Sequence, residues 1–128
     1  MSKPLNYHDY LKMDQLLSCQ SLETERQGKP AHDELLFIIV HQAYELWFKQ
    51  ILFEVQSILD IFAKGRVDEK DMGIIVSRLD RVNEIQKLMI QQVDIIETMT
   101  PLDFLEFRDL LFPASGFQSF QFRMFESK

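Results

Sequence analysis

The sequence has one cysteine, Cys19, in 128 residues, so no internal disulfide can form. A lone thiol fits a reducing compartment such as the cytoplasm. Glycine and proline number four each, with no Asn-Gly or Asp-Gly pair to turn a hairpin. Strict alternation of apolar and polar residues is nearly absent too. Together these exclude a strand-rich chain, which needs frequent turns and a period of two. The longest unbroken apolar run, Leu35 to Val40, falls far short of the ~20 residues a membrane helix needs. The N-terminal stretch MSKPLNYHDY carries no apolar signal core. Basic runs are missing and the formal net charge is -6, which speaks against nucleic acid or an anionic membrane as partner. There is no HExxH, no cysteine pair, no glycine-rich phosphate loop and no Glu-x-x-His for a helical di-iron site.

What is present is an ordinary globular balance of 46% apolar and 27% charged residues, enough for one domain with a modest core. Residues 1–128 therefore read as a single helical region. The aromatic residues are unevenly spread, with seven of the eleven phenylalanines between Phe104 and Phe125. That much aromatic surface expects a cover.

The helical periodicity divides into five segments. A first helix is expected over Asn6–Leu17, with Asn6 as N-cap and Tyr7 and Tyr10 on one face. As structural residues the two tyrosines would be core aromatics with hydroxyls at the rim. Residues 18–31 are polar and end in Gly28-Lys29-Pro30, a connector with room for one helical turn. A second helix is expected from His32 to Ala63, closed by Gly65 in a left-handed cap. It is apolar around most of its first half, which predicts a central position. Asp68 opens a third helix to Met99, with a seam of Met72, Ile75, Leu79, Val82, Met89, Val93 and Ile96 broken by Gln86. The short link predicts antiparallel packing of these two. Thr100, Pro101 and Asp103 then start a short helix reaching Leu111, and Ser115 to Gln118 reads as a capping box for a last, Phe-rich helix. The expected fold is all-α: two long antiparallel helices with shorter ones packed across them.

Three positions have the character of site residues. His41 interrupts the apolar run HDELLFIIVHQAYELWFKQ, one turn after Phe37. It is either a buried histidine bonded to a neighbour such as Glu45, or a pocket histidine beside an aromatic wall. Arg108 lies between Phe104 and Leu111 on an apolar stripe, where a guanidinium needs an anion. That anion is either a core carboxylate or the carboxylate of a ligand held in a bidentate clamp. Ser115-Gly116 is explained as a helix cap, and a cap also offers free N–H groups to a polar ligand. One aromatic wall, one histidine and one arginine suit a small amphiphile with a carboxylate, such as an aromatic amino acid.

The words HDELLFIIVHQAYELWFKQILFE, SRLDRV and ETMTPLDFLEFRDLLFPASGFQSFQFR closely resemble the N-terminal part of the tryptophan 2,3-dioxygenase family, over nearly the whole chain from Tyr7. The resemblance implies an all-α haem enzyme, an intertwined homotetramer, that uses O2 to open the indole ring of L-tryptophan to N-formyl-L-kynurenine in tryptophan catabolism. It implies that Phe37 and His41 line the distal side of the haem, with His41 bonding the indole N–H rather than the iron. By the same match, Arg108 holds the substrate carboxylate, and Phe104 and Leu111 face the pocket. Ser115 and Gly116 match the loop over haem and substrate, and Tyr7 and Tyr10 match a tyrosine pair that reaches a neighbouring subunit's site. The family's proximal haem-ligand histidine has no counterpart among His8, His32 and His41, so no metal ligand is assigned here. The expectation is a distal and substrate-binding half of a site, the N-terminal part of a longer enzyme, inactive alone. The alternative is a non-enzymatic helical binding or oligomerisation module that works without haem.

Overall fold

A computed structural model of the chain describes residues 4–108, with side chains through Leu105. Among the described residues the structure is helical without strands, as the composition requires: α1 (Tyr7–Tyr10), α2 (Met13–Leu17), α3 (Glu23–Arg26), α4 (Glu34–Ala63), α5 (Glu69–Ile96) and α6 (Pro101–Arg108).

Local chemistry sets most boundaries. Asn6 caps α1 by accepting from the Asp9 N–H at 2.8 Å. Asp68 and Asp71 form a reciprocal capping box at the start of α5. Thr100 and Asp103 form a second one at α6, with bonds of 3.1 and 3.2 Å. Each satisfies N–H groups that a helix start leaves orphaned. Gly65 ends the α4 turn at φ +81°, a left-handed geometry that a Cβ would strain.

The two long helices pack against each other and carry the core. Ile51, 1% exposed, meets Val82 and Ile85, with Trp47, Val55 and Met89 around them. Nearer the link, Ile58 and Ile61 meet Ile75, flanked by Val67 and Ile74. Burying each of these side chains contributes about 2 kcal/mol. Between the clusters Glu54 is buried, bonded by Arg81 Nη1 at 3.0 Å and Gln50 Nε2 at 2.8 Å. Burial pushes the Glu54 carboxyl up, but the bonds from Arg81 and Gln50 outweigh it and leave it below its ordinary value.

Several expectations need correction. The seam on α5 is rotated from the one the spacing suggests. Ile75, Val82 and Met89 belong to it, but Met72, Leu79 and Val93 are exposed, and Ile85 is buried in their place. That rotation brings Arg81 to Glu54, a buried carboxylate that would be costly to leave unpaired. The expected first helix is two short ones, parted at Lys12, whose φ of 54° and ψ of 49° are left-handed. No described core receives its apolar residues, and short helices without packing are marginal. Tyr7 and Tyr10 are 73% and 67% exposed, so they are not core aromatics here. The second and third helices start or stop two to three residues inside the expected limits. The far side of α4 leaves Leu35, Ile39, Leu46 and Phe53 exposed among the described residues. The expected end of the fourth helix at Leu111 and the Phe-rich last helix lie outside the described residues.

Two outcomes test this packing. Ile51→Ala should cost about 3 kcal/mol in a denaturant titration, the usual loss for a large aliphatic core side chain. Glu54 stabilises the fold above its unfolded pKa, and that contribution is lost as pH falls through its lowered folded value. Glu54→Gln should therefore flatten the acid limb of the stability–pH curve measured by thermal melting below about pH 4.5.

Candidate functional site

Two of the candidate site residues, Phe37 and His41, lie on the N-terminal half of α4. Residues 37, 41, 44 and 48 are spaced by three and four, so they share a stripe. Their rings form a continuous row: Phe37 to His41 at 4.3 Å, His41 to Tyr44 at 6.5 Å edge-on, and Tyr44 to Phe48 at 6.3 Å stacked. Phe104 of α6 extends the row, 5.9 Å from Phe37. These separations are those of interacting aromatic pairs.

The start of α6 sits close to the start of α4. Asp103 feels this directly: bonds from Thr100 lower its pKa most, with smaller contributions from Asp33 and His32 at the head of α4. This contact brings Phe104 onto Phe37. Arg108 ends the same short helix. Its side chain, and Leu111, Ser115 and Gly116, lie outside the described residues.

His41 is an exposed side chain, not the buried one that spacing allowed. Its bond goes not to Glu45 but to the Phe37 backbone carbonyl, from Nδ1 at 2.8 Å. A carbonyl only accepts, so Nδ1 carries the proton. In the neutral ring Nε2 is then the lone-pair nitrogen, and no described residue hydrogen-bonds to it. The ring lies against Phe37 at a tilt of 35° and, on an exposed side chain, keeps one acceptor nitrogen. This arrangement suits a planar aromatic ligand bearing an N–H.

The connector is secured beside this stripe by Glu34, in the first turn of α4. Glu34 is fully buried and turns its carboxylate back to α3. It accepts from the Glu23 N–H at 2.9 Å, the Thr24 N–H at 3.0 Å and the Thr24 hydroxyl at 2.5 Å. The Thr24 hydroxyl oxygen in turn accepts from the Ala31 N–H at 3.0 Å. Two turns on, Gln42 bonds the Cys19 carbonyl at 3.2 Å and Gln20 at 3.0 Å. A buried acid without a cation must be satisfied by such donors. The signal in the sequence was faint: Thr24-x-x-x before Gly28, and a glutamate at a helix start. Tyr7 and Tyr10 make no ring contact with His41 among the described residues; the main packing of α1 is on α2.

Elsewhere, a groove of about 430 Å³ runs along α5 past Lys70, Gly73, Ile74, Ser77, Arg78 and Arg81. It lies at the linked end of the hairpin, away from His41, and its arginines serve Glu54. Among the described residues no group of three or more His, Cys, Asp or Glu side chains is placed to hold a metal ion. No described helix is long and apolar enough to cross a membrane.

A family model described as tryptophan 2,3-dioxygenase matches residues 1–128. The chain is 62% identical over 125 residues to the tryptophan 2,3-dioxygenase of Bdellovibrio bacteriovorus, covering 98% of this chain and 35% of that protein. It is 56% identical over 126 residues to that of Dictyostelium discoideum, covering 98% of this chain and 32% of the relative. The corresponding protein of Xenopus tropicalis is 54% identical over 125 residues, covering 97% of this chain and 31% of its own length. The chain thus spans about a third of the length of the curated relatives it matches. A match along all 128 residues, with these identities, shows that the chain belongs to the tryptophan 2,3-dioxygenase family.

Proposed function

We propose that this chain supplies the distal, substrate-binding part of a haem dioxygenase that opens the indole ring of L-tryptophan with O2 to give N-formyl-L-kynurenine. Family membership supports the reaction class, since the relatives carry the name tryptophan 2,3-dioxygenase. The observation that carries the reading is the tautomer of His41. Its Nδ1–H is committed to the Phe37 carbonyl, which leaves Nε2 as an acceptor facing outward. Indole has a single N–H, and it is a donor. His41 therefore holds the indole by that N–H, and Phe37 and Phe104 give the ring an aromatic wall.

The residues in hand fit one face of a haem. The His41–Phe37–Phe104 row is an aromatic surface with one polar atom, suited to the distal side of a flat apolar cofactor. Phe37, His41, Ser115 and Gly116 would line it; no axial ligand is assigned to this chain. When bound, haem supplies the redox chemistry that activates O2. What the chain's own residues do is orient. His41 fixes the indole nitrogen, and Arg108 takes the substrate carboxylate through a bidentate fork. Holding both ends of tryptophan sets the C2–C3 bond in one place, and such positioning is a major source of rate. Leu111 and Ser115 complete the substrate pocket in this reading.

The exposed N-terminal segment fits the rest of the proposal. Leu5, Tyr7, Tyr10 and Leu17 are each more than half exposed. In a homotetramer this segment would lend Tyr7 and Tyr10 to a neighbouring subunit's site. The assembly would work in the cytoplasm, on free tryptophan.

In a haem-loaded polypeptide of the relatives' full length carrying this sequence, Arg108→Ala should raise KM for L-tryptophan at least tenfold, the loss of a charge-assisted pair. Tryptamine, which has no carboxylate, should gain nothing from Arg108, so the variant and the parent should treat it alike. Steady-state kinetics with both compounds reads this out, and an unchanged KM for L-tryptophan would remove Arg108 from the site. The 128 residues alone should show negligible turnover by formylkynurenine absorbance.

A further inference from the structure

The bond from Nδ1 to the Phe37 carbonyl fixes one edge of the His41 ring, but a single bond leaves the ring free to rock about it. Something must hold the second edge if Nε2 is to point one way. Phe37 covers one face of the imidazole at 4.3 Å. On the other side, one turn on, Tyr44 meets it edge-on, with rings 87° apart and centroids 6.5 Å apart. Tyr44 is itself held at both ends. Its ring stacks on Phe48 at 6.3 Å, and Phe48 is buried. Its hydroxyl crosses to α5 and donates to the Met89 carbonyl at 2.9 Å. A carbonyl inside a helix keeps a second lone pair beside its helical bond, so it can take this proton without breaking α5. Burial raises the Tyr44 pKa, which keeps the phenol in its donating form. Met89 in turn packs on the Ile51–Val82–Ile85 cluster.

We propose that Tyr44 is the positioning residue for His41: it carries the rigidity of the α4–α5 core to the imidazole and so fixes the direction of the Nε2 acceptor. This rests on the reading that Nε2 receives the indole N–H. Tyr44 touches neither substrate nor cofactor; it acts through His41. Its ring edge does the positioning, and its hydroxyl keeps that edge in place.

The readout is discrimination between L-tryptophan and 1-methyl-L-tryptophan, which lacks the indole N–H. In the full-length haem protein the parent should prefer tryptophan on the order of tenfold in kcat/KM, the worth of one oriented hydrogen bond. His41→Ala should reduce that ratio towards one. Tyr44→Leu should reduce it nearly as far, because an imidazole without its lateral support no longer aims Nε2. Tyr44→Phe keeps the ring edge and should lower the ratio only two- to threefold. The ratio is taken within one preparation, so a smaller folded fraction cancels. Tyr44→Met serves as a second ringless variant should Tyr44→Leu fail to fold. A merely structural tyrosine would lower both substrates alike and leave the ratio intact; that result, with His41→Ala still abolishing discrimination, overturns the positioning role alone. A parent with no preference for the N–H compound overturns the His41 reading and the Tyr44 proposal with it.

Discussion

The contact between the two long helices is the constraint on which the described structure depends. Ile51 on α4 is enclosed by Val82 and Ile85 on α5, and Glu54 beside it is neutralised by Arg81. Together they fix the rotation of one helix about its axis against the other. Once α4 cannot turn, every residue on it has an assigned direction. The stripe of Phe37, His41, Tyr44 and Phe48 then falls to one flank of the pair. Its N-terminal end, at Phe37, meets α6, and its other end, at Phe48, is buried in the core. A buried ion pair is weak evidence for stability in itself, because desolvation offsets much of the attraction. In the packing observed, the buried Glu54 carboxylate meets Arg81 across the helix pair.

The same helix is held from a second direction by the connector. The Glu34 carboxylate gathers two backbone N–H groups and a hydroxyl of residues 23 and 24, and Gln42 takes hold of Cys19 and Gln20. The connector thus runs back along α4 and leaves it near Cys19. The exposed tyrosines of α1 lie past that point, on a segment broken by left-handed Lys12. A firmly tied connector beside a segment with exposed apolar side chains is the arrangement a chain needs if that segment is to be given to another subunit. The tie sets where the segment departs, and its exposed side chains supply what a partner would bury.

Function, in this reading, comes from orientation more than from unusual acidity or a reactive nucleophile. His41 works through a tautomer chosen by a backbone carbonyl, as a neutral acceptor for a neutral donor. Such a site tolerates exposure before its ligand arrives, since imidazole is well solvated, and becomes effective when an aromatic ligand and a cofactor exclude water around it. That accounts for an exposed histidine in the middle of an otherwise apolar run.

The sequence by itself determined the helical class, the two long helices and the family. Caps such as Asn6, Asp68 with Asp71, and Thr100 with Asp103 act over three residues, so their chemistry is written in adjacent letters. The left-handed turn at Gly65, the two long helices and the word-for-word motifs around His41 and Arg108 were legible for the same reason. What only the tertiary structure decided depends on partners distant in sequence. Heptad spacing on α5 suggested a seam through Met72, Leu79 and Val93, whereas the packed face carries Ile85 and brings Arg81 to Glu54, 27 residues away. Burial of Glu34 depended on where Thr24 came to rest, and the exposure of His41 on which flank of α4 was left open. Spacing tells which residues share a face of a helix; it cannot tell which face meets what, because that is settled by the rotation of whole helices against one another.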